Sequence, residues 1–378
     1  MRVLMTTDTV GGVWQYALTL CRGLAGDGGS ADGNVEIALA AMGPGSQGGG
    51  PCSPEQYAEA AAVPGLTLHQ HVGRLLWMSD SATDVARAGE WLRDIAADVR
   101  PDVIHFNDYA HAAPPWRAPT IVVGHSCVLS WWEAVKGERA PASWRAYQRC
   151  VHDGLQAARL VVSPSRAMLR ALERHYGPLR STRVIANGRD AHAFTPGTKQ
   201  PIVFAAGRLW DEAKNLAALD AVAGDLSWPV CIAGDTRHPE GYDVVARHAR
   251  LMGRLAPRDV ALWMSRASIY AWPAKYEPFG LTVLEAALSA CALVLGDIPS
   301  LRELWDGAAI FVPPADHDAL REALEGLIAS PSRRAAIART AHTRALELST
   351  SRMVGAYRHV YRELIGAGTS SATRAAAV

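Results

Sequence analysis

A chain of 378 residues is too long for one ordinary domain and suits two of about 150–200 residues, each able to bury its own core. With 49% hydrophobic and 20% charged residues and a net charge of +1, it lacks the basic excess of a nucleic-acid binder, so no nucleic-acid partner is expected. Its six cysteines are scattered without a CxxC pair, which argues against a disulfide framework or a zinc site and for reduced thiols in the cytoplasm. The opening apolar stretch, Val3-Leu4-Met5, is too short for a signal segment, and no run approaches a membrane span.

In chain order, short Val- and Ile-rich runs predict strands at Val3–Met5, Val35–Leu39, Val103–Phe106, Thr120–Val123, Leu160–Val162 and Val184–Ile185. Helical periodicity falls between them, over Val13–Leu24, Thr83–Ala97, Ser143–Ala158 and Ser165–Tyr176. Strand alternating with helix is the pattern of a parallel sheet covered on both faces. The pattern restarts with Ile202–Ala205, Val230–Ala233, Ser268–Trp272, Leu293–Leu295 and Ile310–Val312, and helices over Asp316–Ala329, Ser332–Leu346 and Arg352–Ile365 end it. The fold class is therefore α/β, with two doubly wound Rossmann-like domains. The break is placed at Phe194-Thr195-Pro196-Gly197-Thr198, giving a first domain of 1–195 and a second of 196–351. The Gly/Pro tract Gly43–Pro51 and the tail from Gly366 (367–378) are expected to lie outside regular structure.

The most specific stretch is Tyr276-Glu277-Pro278-Phe279-Gly280-Leu281-Thr282-Val283-Leu284-Glu285-Ala286, which follows a buried strand and opens a helix. In a parallel sheet ligands gather beyond the carboxyl ends of the strands. There the N–H groups of Phe279, Gly280 and Leu281, at the positive end of the helix, suit a diphosphate or sugar hydroxyls. Glu277 would sit in the loop and Glu285 one turn into the helix; the plainer reading makes them solvated acids at a helix start. A second constellation, Gly207-Arg208-Leu209-Trp210-Asp211-Glu212-Ala213-Lys214, places two cations after a strand. Arg208 and Lys214 could neutralise a departing nucleoside diphosphate without a metal. Gly11-Gly12, between the first strand and helix, lets a ligand approach the backbone, and His125 ends a strand in the first half.

Taken together, these residues resemble glycosyltransferase family 4, the retaining group with the GT-B fold. Glu277 and Glu285 match its paired-glutamate motif, Arg208 and Lys214 its diphosphate pair, and Gly11-Gly12 its N-terminal loop; Ser163-Pro164-Ser165, Asn187-Gly188 and Pro299–Glu303 extend the likeness over nearly the whole chain. The resemblance implies two domains facing across a cleft, with an acceptor-binding first domain, a nucleotide-sugar-binding second domain, and a final helix (352–366) crossing back onto the first. It implies that Glu285 holds the donor ribose, Glu277 and the Phe279-Gly280 backbone the transferred sugar, Arg208 and Lys214 the diphosphate, and His125 the sugar near its reacting face. A nucleotide-diphosphate sugar is then the co-substrate, with no further cofactor and no metal, and a hydroxyl of a glycan, lipid or small molecule is the acceptor. Three positions depart from the usual pattern. Arg189 stands after Asn-Gly where an apolar residue is common, Ser126 follows His125 where many members carry an acid, and Arg208 and Lys214 are one residue further apart than in the commonest version.

Acceptor contacts are sought among Trp14, Trp77, Trp131, Trp132 and Trp144, with Trp131-Trp132 first, because indole faces stack on sugar rings; core packing is the alternative for each. From 131 to 185 ten Lys or Arg face four Asp or Glu, which reads as a solvated face or as a peripheral contact with an anionic membrane. The rival functions are a GT-B-fold sugar-nucleotide epimerase or phosphorylase, separated by a strict need for an acceptor, and a non-catalytic sugar-nucleotide-binding protein, which would lack Glu277, Arg208 or Lys214.

Overall fold

The computed structural model describes residues 1–26, 35–45, 49–237, 241 and 243–375. Its residues fall into two compact units. The first comprises 1–130, 139–186 and 350–378, and the second 131–138 and 187–349.

The first unit is built on seven parallel strands: β1 (Arg2–Asp8), β2 (Glu36–Gly43), β3 (Leu66–Val72), β4 (Val103–Phe106), β5 (Thr120–Val123), β6 (Leu160–Ser163) and β7 (Thr182–Val184). They lie in the order β3-β2-β1-β4-β5-β6-β7. Every residue of β4, β5 and β6 is buried, as expected of strands covered on both faces, whereas β3 and β7 at the edges are largely exposed or half-buried. The connecting helices are α1 (Gly12–Gly26), α2 (Pro54–Ala61), α3 (Ala82–Val99), α4 (Val128–Lys136, whose residues from Trp131 on group with the second unit), α5 (Arg145–Ala157) and α6 (Arg166–Tyr176). Local chemistry sets their ends. Ser53 and Gln56 form a reciprocal capping box on α2, Arg100 closes α3 in the left-handed region before Pro101, and Ser165 accepts from the Met168 N–H to start α6.

The second unit carries six parallel strands: β8 (Gln200–Ala206), β9 (Val230–Ala233), β10 (Arg250–Leu251), β11 (Ala267–Trp272), β12 (Ala292–Gly296) and β13 (Ile310–Val312). Their order is β10-β9-β8-β11-β12-β13. Its helices are α7 (Leu216–Ala223), α8 (Pro257–Arg266), α9 (Leu281–Leu288), α10 (Pro299–Trp305), α11 (His317–Ala329) and α12 (Pro331–Leu346). Strands β11 and β12 are buried throughout, as are six of the eight residues of α9. The order places β8 and β11 side by side at the centre, so the loops after them emerge next to one another in the middle of the sheet's carboxyl end.

The last helix, α13 (Thr350–Ala375), returns to the first unit, where Met353, Val354, Tyr357, Val360 and Tyr361 join the core formed by β1, β2 and α1. Gly366–Ala375, expected to lack regular structure, continue the backbone of this helix, and 376–378 lie outside the described residues. In the Gly43–Pro51 tract, Gly43 ends β2 and residues 46–48 lie outside the described residues. Among the described residues no helix is long and apolar enough to cross a membrane.

The units divide between Ala186 and Asn187, earlier than the Pro/Gly break at 194–198. The cause is local: the Arg189 N–H donates to the Leu348 carbonyl, and the Arg189 side chain reaches Glu285, so the Asn187–Phe194 segment is tied to the second unit before the break is reached.

Candidate active site

In the second unit the chain leaving β8 turns through Gly207, Arg208 and Leu209 to Asp211, whose carboxylate accepts from the Ala213 N–H and caps a short 3-10 turn at Glu212–Lys214. That turn sends Lys214 inward. Its side chain is 10% exposed, and its Nζ lies 2.8 Å from Glu277 Oε2, 14% exposed. The same oxygen accepts from Trp272 Nε1 at 3.2 Å, and the Lys214 Nζ lies 6.0 Å from the Trp272 ring centroid. The two expected site residues therefore meet directly, one from the loop after β8 and one from the loop after β11. An ammonium has three N–H donors, so a lysine that spends one on Glu277 retains donors for a phosphate oxygen.

Arg208 is the more exposed cation, 39% exposed, with its guanidinium 3.2 Å from Asp211 Oδ2 and over the Trp210 ring. Burial alone would raise the Asp211 carboxyl, but the charges of Lys214 and Arg208, with the Trp131 and Ala213 N–H donors, outweigh it and hold the group below its ordinary value. Asp211 was not singled out from sequence. Its place between the two cations is the signal that was available.

Beyond Glu277 the backbone needs a residue that tolerates a positive φ. Gly280 supplies it at φ +86°, and a Cβ there would crowd Val283 and Glu277. Phe279 and Gly280 are buried, and Leu281 begins α9. The Ser300 hydroxyl donates to the Glu277 carbonyl, fixing the loop from the α10 side.

Glu285 lies one turn into α9 and is buried, but it is already engaged: Arg189 Nε donates to Oε1 at 2.7 Å and Nη2 donates to the same oxygen. The side chains are 14% and 7% exposed. The guanidinium also lies over the Phe194 ring at 5.6 Å. The arginine that departs from the usual pattern thus finds its partner in the glutamate expected to hold the ribose.

In the first unit Gly11, at φ +87°, ends the turn after β1, and Gly12 is the first residue of α1. Asp8 Oδ1 accepts from the Val10 N–H to shape that turn. His125 lies two residues beyond β5, half-buried, with Nε2 2.8 Å from Asn107 Oδ1 and its ring edge-on to Tyr16 at 4.5 Å. Burial, reinforced by His105, pushes its imidazole down to about 3. Asn107 belongs to no motif, but it directly follows a wholly buried strand, where a polar residue is informative.

The tryptophans separate by environment. Trp14 is 1% exposed in the core, its N–H donating to Glu59. Trp131, grouped with the second unit, donates to Asp211 Oδ1 at 2.9 Å, and Trp132 donates to Glu138. Trp144 stands edge-on to Tyr147.

Comparison with known proteins then locates the chain. Residues 10–193 match the model of Glycosyltransferase Family 4, and residues 200–330 match Glycosyl transferases group 1. The chain is 34% identical over 112 residues to the lipopolysaccharide core biosynthesis mannosyltransferase of Rhizobium leguminosarum, a match spanning 29% of this chain and 32% of that one. It is 26% identical over 300 residues to the glycogen synthase of Mycobacterium tuberculosis, covering 71% of each. Among solved structures it superposes on Anabaena HepE in complex with UDP-glucose with a TM-score of 0.76 at 16% identity, over 96% of this chain and 100% of that one. Two Rossmann-like sheets of seven and six strands and these neighbours give the GT-B fold.

Proposed function

The chain belongs to the glycosyltransferase family 4 group and is a hexosyltransferase of the GT-B fold, and from that premise we propose how its residues divide the work. The donor is a nucleotide-diphosphate sugar held by the second unit. Arg208 and Lys214 take the diphosphate, the N–H groups of Phe279, Gly280 and Leu281 at the start of α9 assist them, Glu285 takes the ribose, and Glu277 the transferred sugar. Gly11 and Gly12 bring backbone close to the donor, and His125 serves the sugar near its reacting face. The acceptor is a hydroxyl of a glycan, lipid or small molecule. The basic stretch 131–185 is read as a solvated face.

The observation that carries this reading is the Lys214–Glu277 pair with Trp272 at 2.8 and 3.2 Å. A cation and a carboxylate, both largely removed from solvent at neighbouring strand ends, form a polarised site in a poorly solvated setting, where charge interactions are stronger than in water. As the bond from sugar to diphosphate breaks, negative charge grows on the leaving oxygens, and a fixed ammonium stabilises that charge more than it stabilises the ground state. The sugar then carries oxocarbenium character, which a carboxylate on its side of the site supports. In front-face retention the leaving phosphate takes the acceptor proton, so no protein nucleophile is required.

Metal-free donor binding tests this directly. Calorimetry with UDP, GDP, ADP and their common sugar conjugates, first in EDTA and then with magnesium, is expected to show one nucleoside diphosphate binding equally in both. HepE, with UDP-glucose bound, makes the uridine series the first to run. No binding by any nucleotide, or binding only with magnesium, overturns the assignment of the diphosphate to Arg208 and Lys214.

A further inference from the structure

Thr6 of β1, His105 of β4, Asn107 just beyond β4 and His125 beyond β5 form one hydrogen-bonded group at the carboxyl end of the first sheet. Asn107 is fixed by Thr6 twice: its backbone N–H donates to Thr6 Oγ1 at 2.9 Å, and its side-chain Nδ2 donates to the Thr6 carbonyl at 2.7 Å. A flipped amide would set its oxygen against that carbonyl oxygen, two acceptors facing one another, so the orientation is determined by the network. Asn107 Oδ1 therefore faces two imidazoles, His125 Nε2 at 2.8 Å and His105 Nε2 at 3.2 Å.

An amide oxygen only accepts, so both Nε2 atoms carry hydrogen. For His105 the other nitrogen agrees: Tyr361 Oη lies 2.7 Å from Nδ1 and donates into it. For His125 no hydrogen bond reaches Nδ1 among the described residues. We infer that Asn107 is a positioning residue that fixes His125 as the neutral, Nε2-protonated tautomer and so presents Nδ1 as a hydrogen-bond acceptor to a hydroxyl of the transferred sugar. This rests on the reading that His125 serves the sugar.

The choice between asparagine and aspartate is what matters here. The ionisable groups ranged around His125 are Tyr16 from α1, His105 from β4, and behind His105 the Tyr357 and Tyr361 hydroxyls from α13; Tyr109 donates to the neighbouring Ser126 carbonyl. Burial raises the Tyr16, Tyr357 and Tyr361 hydroxyls and lowers His105 to about 3, so all four are neutral. The one carboxylate joined to this network, Asp108, accepts from Thr6 Oγ1 and from His111, and among the described residues none is hydrogen-bonded to the His125 ring, so His125 stays neutral. A carboxylate at 107 would reverse this, because a buried anion favours the charged ring, and an imidazolium offers no lone pair to a hydroxyl.

The test reads the tautomer and its consequence separately. In full-length 15N-labelled protein, with His125→Gln identifying the signals, long-range 1H–15N correlation from pH 5 to 8 should show an unprotonated Nδ1 and a protonated Nε2 throughout. Asn107→Asp should bring the His125 imidazolium into that range and add an acid limb to kcat/KM that wild type lacks, falling about tenfold per pH unit below the new ionisation. An Nδ1-protonated or doubly protonated His125 in wild type at pH 7 overturns the inference, as does an Asn107→Asp profile that superposes on wild type. Unchanged kcat/KM in His125→Phe, with the tautomer as inferred, instead removes the sugar from His125 and places the failure in the functional reading.

Discussion

Replacing Lys214 with alanine is expected to lower kcat by about 100- to 1,000-fold, the loss typical of one preorganised group that stabilises transition-state charge, with a smaller rise in donor KM. Two losses are combined in this variant. Lys214 Nζ serves Glu277 at 2.8 Å and, in the proposed reaction, the leaving diphosphate. Removing it also leaves the Glu277 carboxylate with the Trp272 N–H at 3.2 Å and no cation, and orphaning one partner of a buried pair costs about 3–5 kcal/mol in a fully buried setting, less where water reaches it. Lost turnover could thus come from lost folding. Assaying Lys214→Ala well below its melting temperature distinguishes the two: the chain is then fully folded, so turnover should stay low even though the melting temperature has fallen. Turnover close to wild type under those conditions would make the lysine a structural partner of Glu277 and no more.

At Glu285 the expected effect is on donor affinity. Glu285→Gln should raise donor KM by about 10- to 100-fold, the range for hydrogen bonds to a charged group, while kcat changes little because the ribose lies away from the reacting bond. Arg189 makes a sharper prediction. It donates to Oε1 through two nitrogens and is only 14% exposed, so it anchors one carboxylate oxygen and leaves Oε2 as the oxygen suited to a ribose hydroxyl. Arg189→Val should therefore raise donor KM by about tenfold, roughly one charge-assisted hydrogen bond of orientation. Combined with Glu285→Gln it should add far less than the sum of the two, since contacting residues couple. Donor KM unchanged in both single variants would remove Glu285 from the ribose.

The sequence carried the sheet frame well and the pairings poorly, for physical reasons. The inner strands of both sheets are covered on both faces, so their apolar runs are continuous, and Val103–Phe106, Thr120–Val123 and Val230–Ala233 match the sequence reading to the residue. Strand β3 was missed because it is an edge strand in which His69, Gln70 and His71 interrupt the apolar run, and β10 has only two residues. Helix boundaries fell within two residues at α1, α3, α5 and α11. The tail differs from the sequence reading because its run of small and polar residues carries no apolar period to reveal a helix.

In the site, the residue types after β8 and β11 were legible because parallel sheets gather ligands at those ends. Which side chain meets which was not. Lys214 and Glu277 are 63 positions apart and Arg189 and Glu285 are 96 apart, and only the β8–β11 adjacency brings the first pair together. Arg189 stood out in the sequence as a substitution for an apolar residue, but its partner emerges only when α9 turns Glu285 toward it. Asn107 carried no motif, and its importance lies in the direction of one amide oxygen.

Retaining transfer from a nucleotide-diphosphate sugar has one direct measurement: the anomeric configuration of the product, read from the 1H coupling of the transferred sugar at early times, with the donor that binds in calorimetry. The expected result is the configuration of the donor, with an α-linked donor giving an α-linked product and a nucleoside diphosphate released in equal amount. A product of inverted configuration, or sugar released from the donor with no dependence on an acceptor, would contradict it.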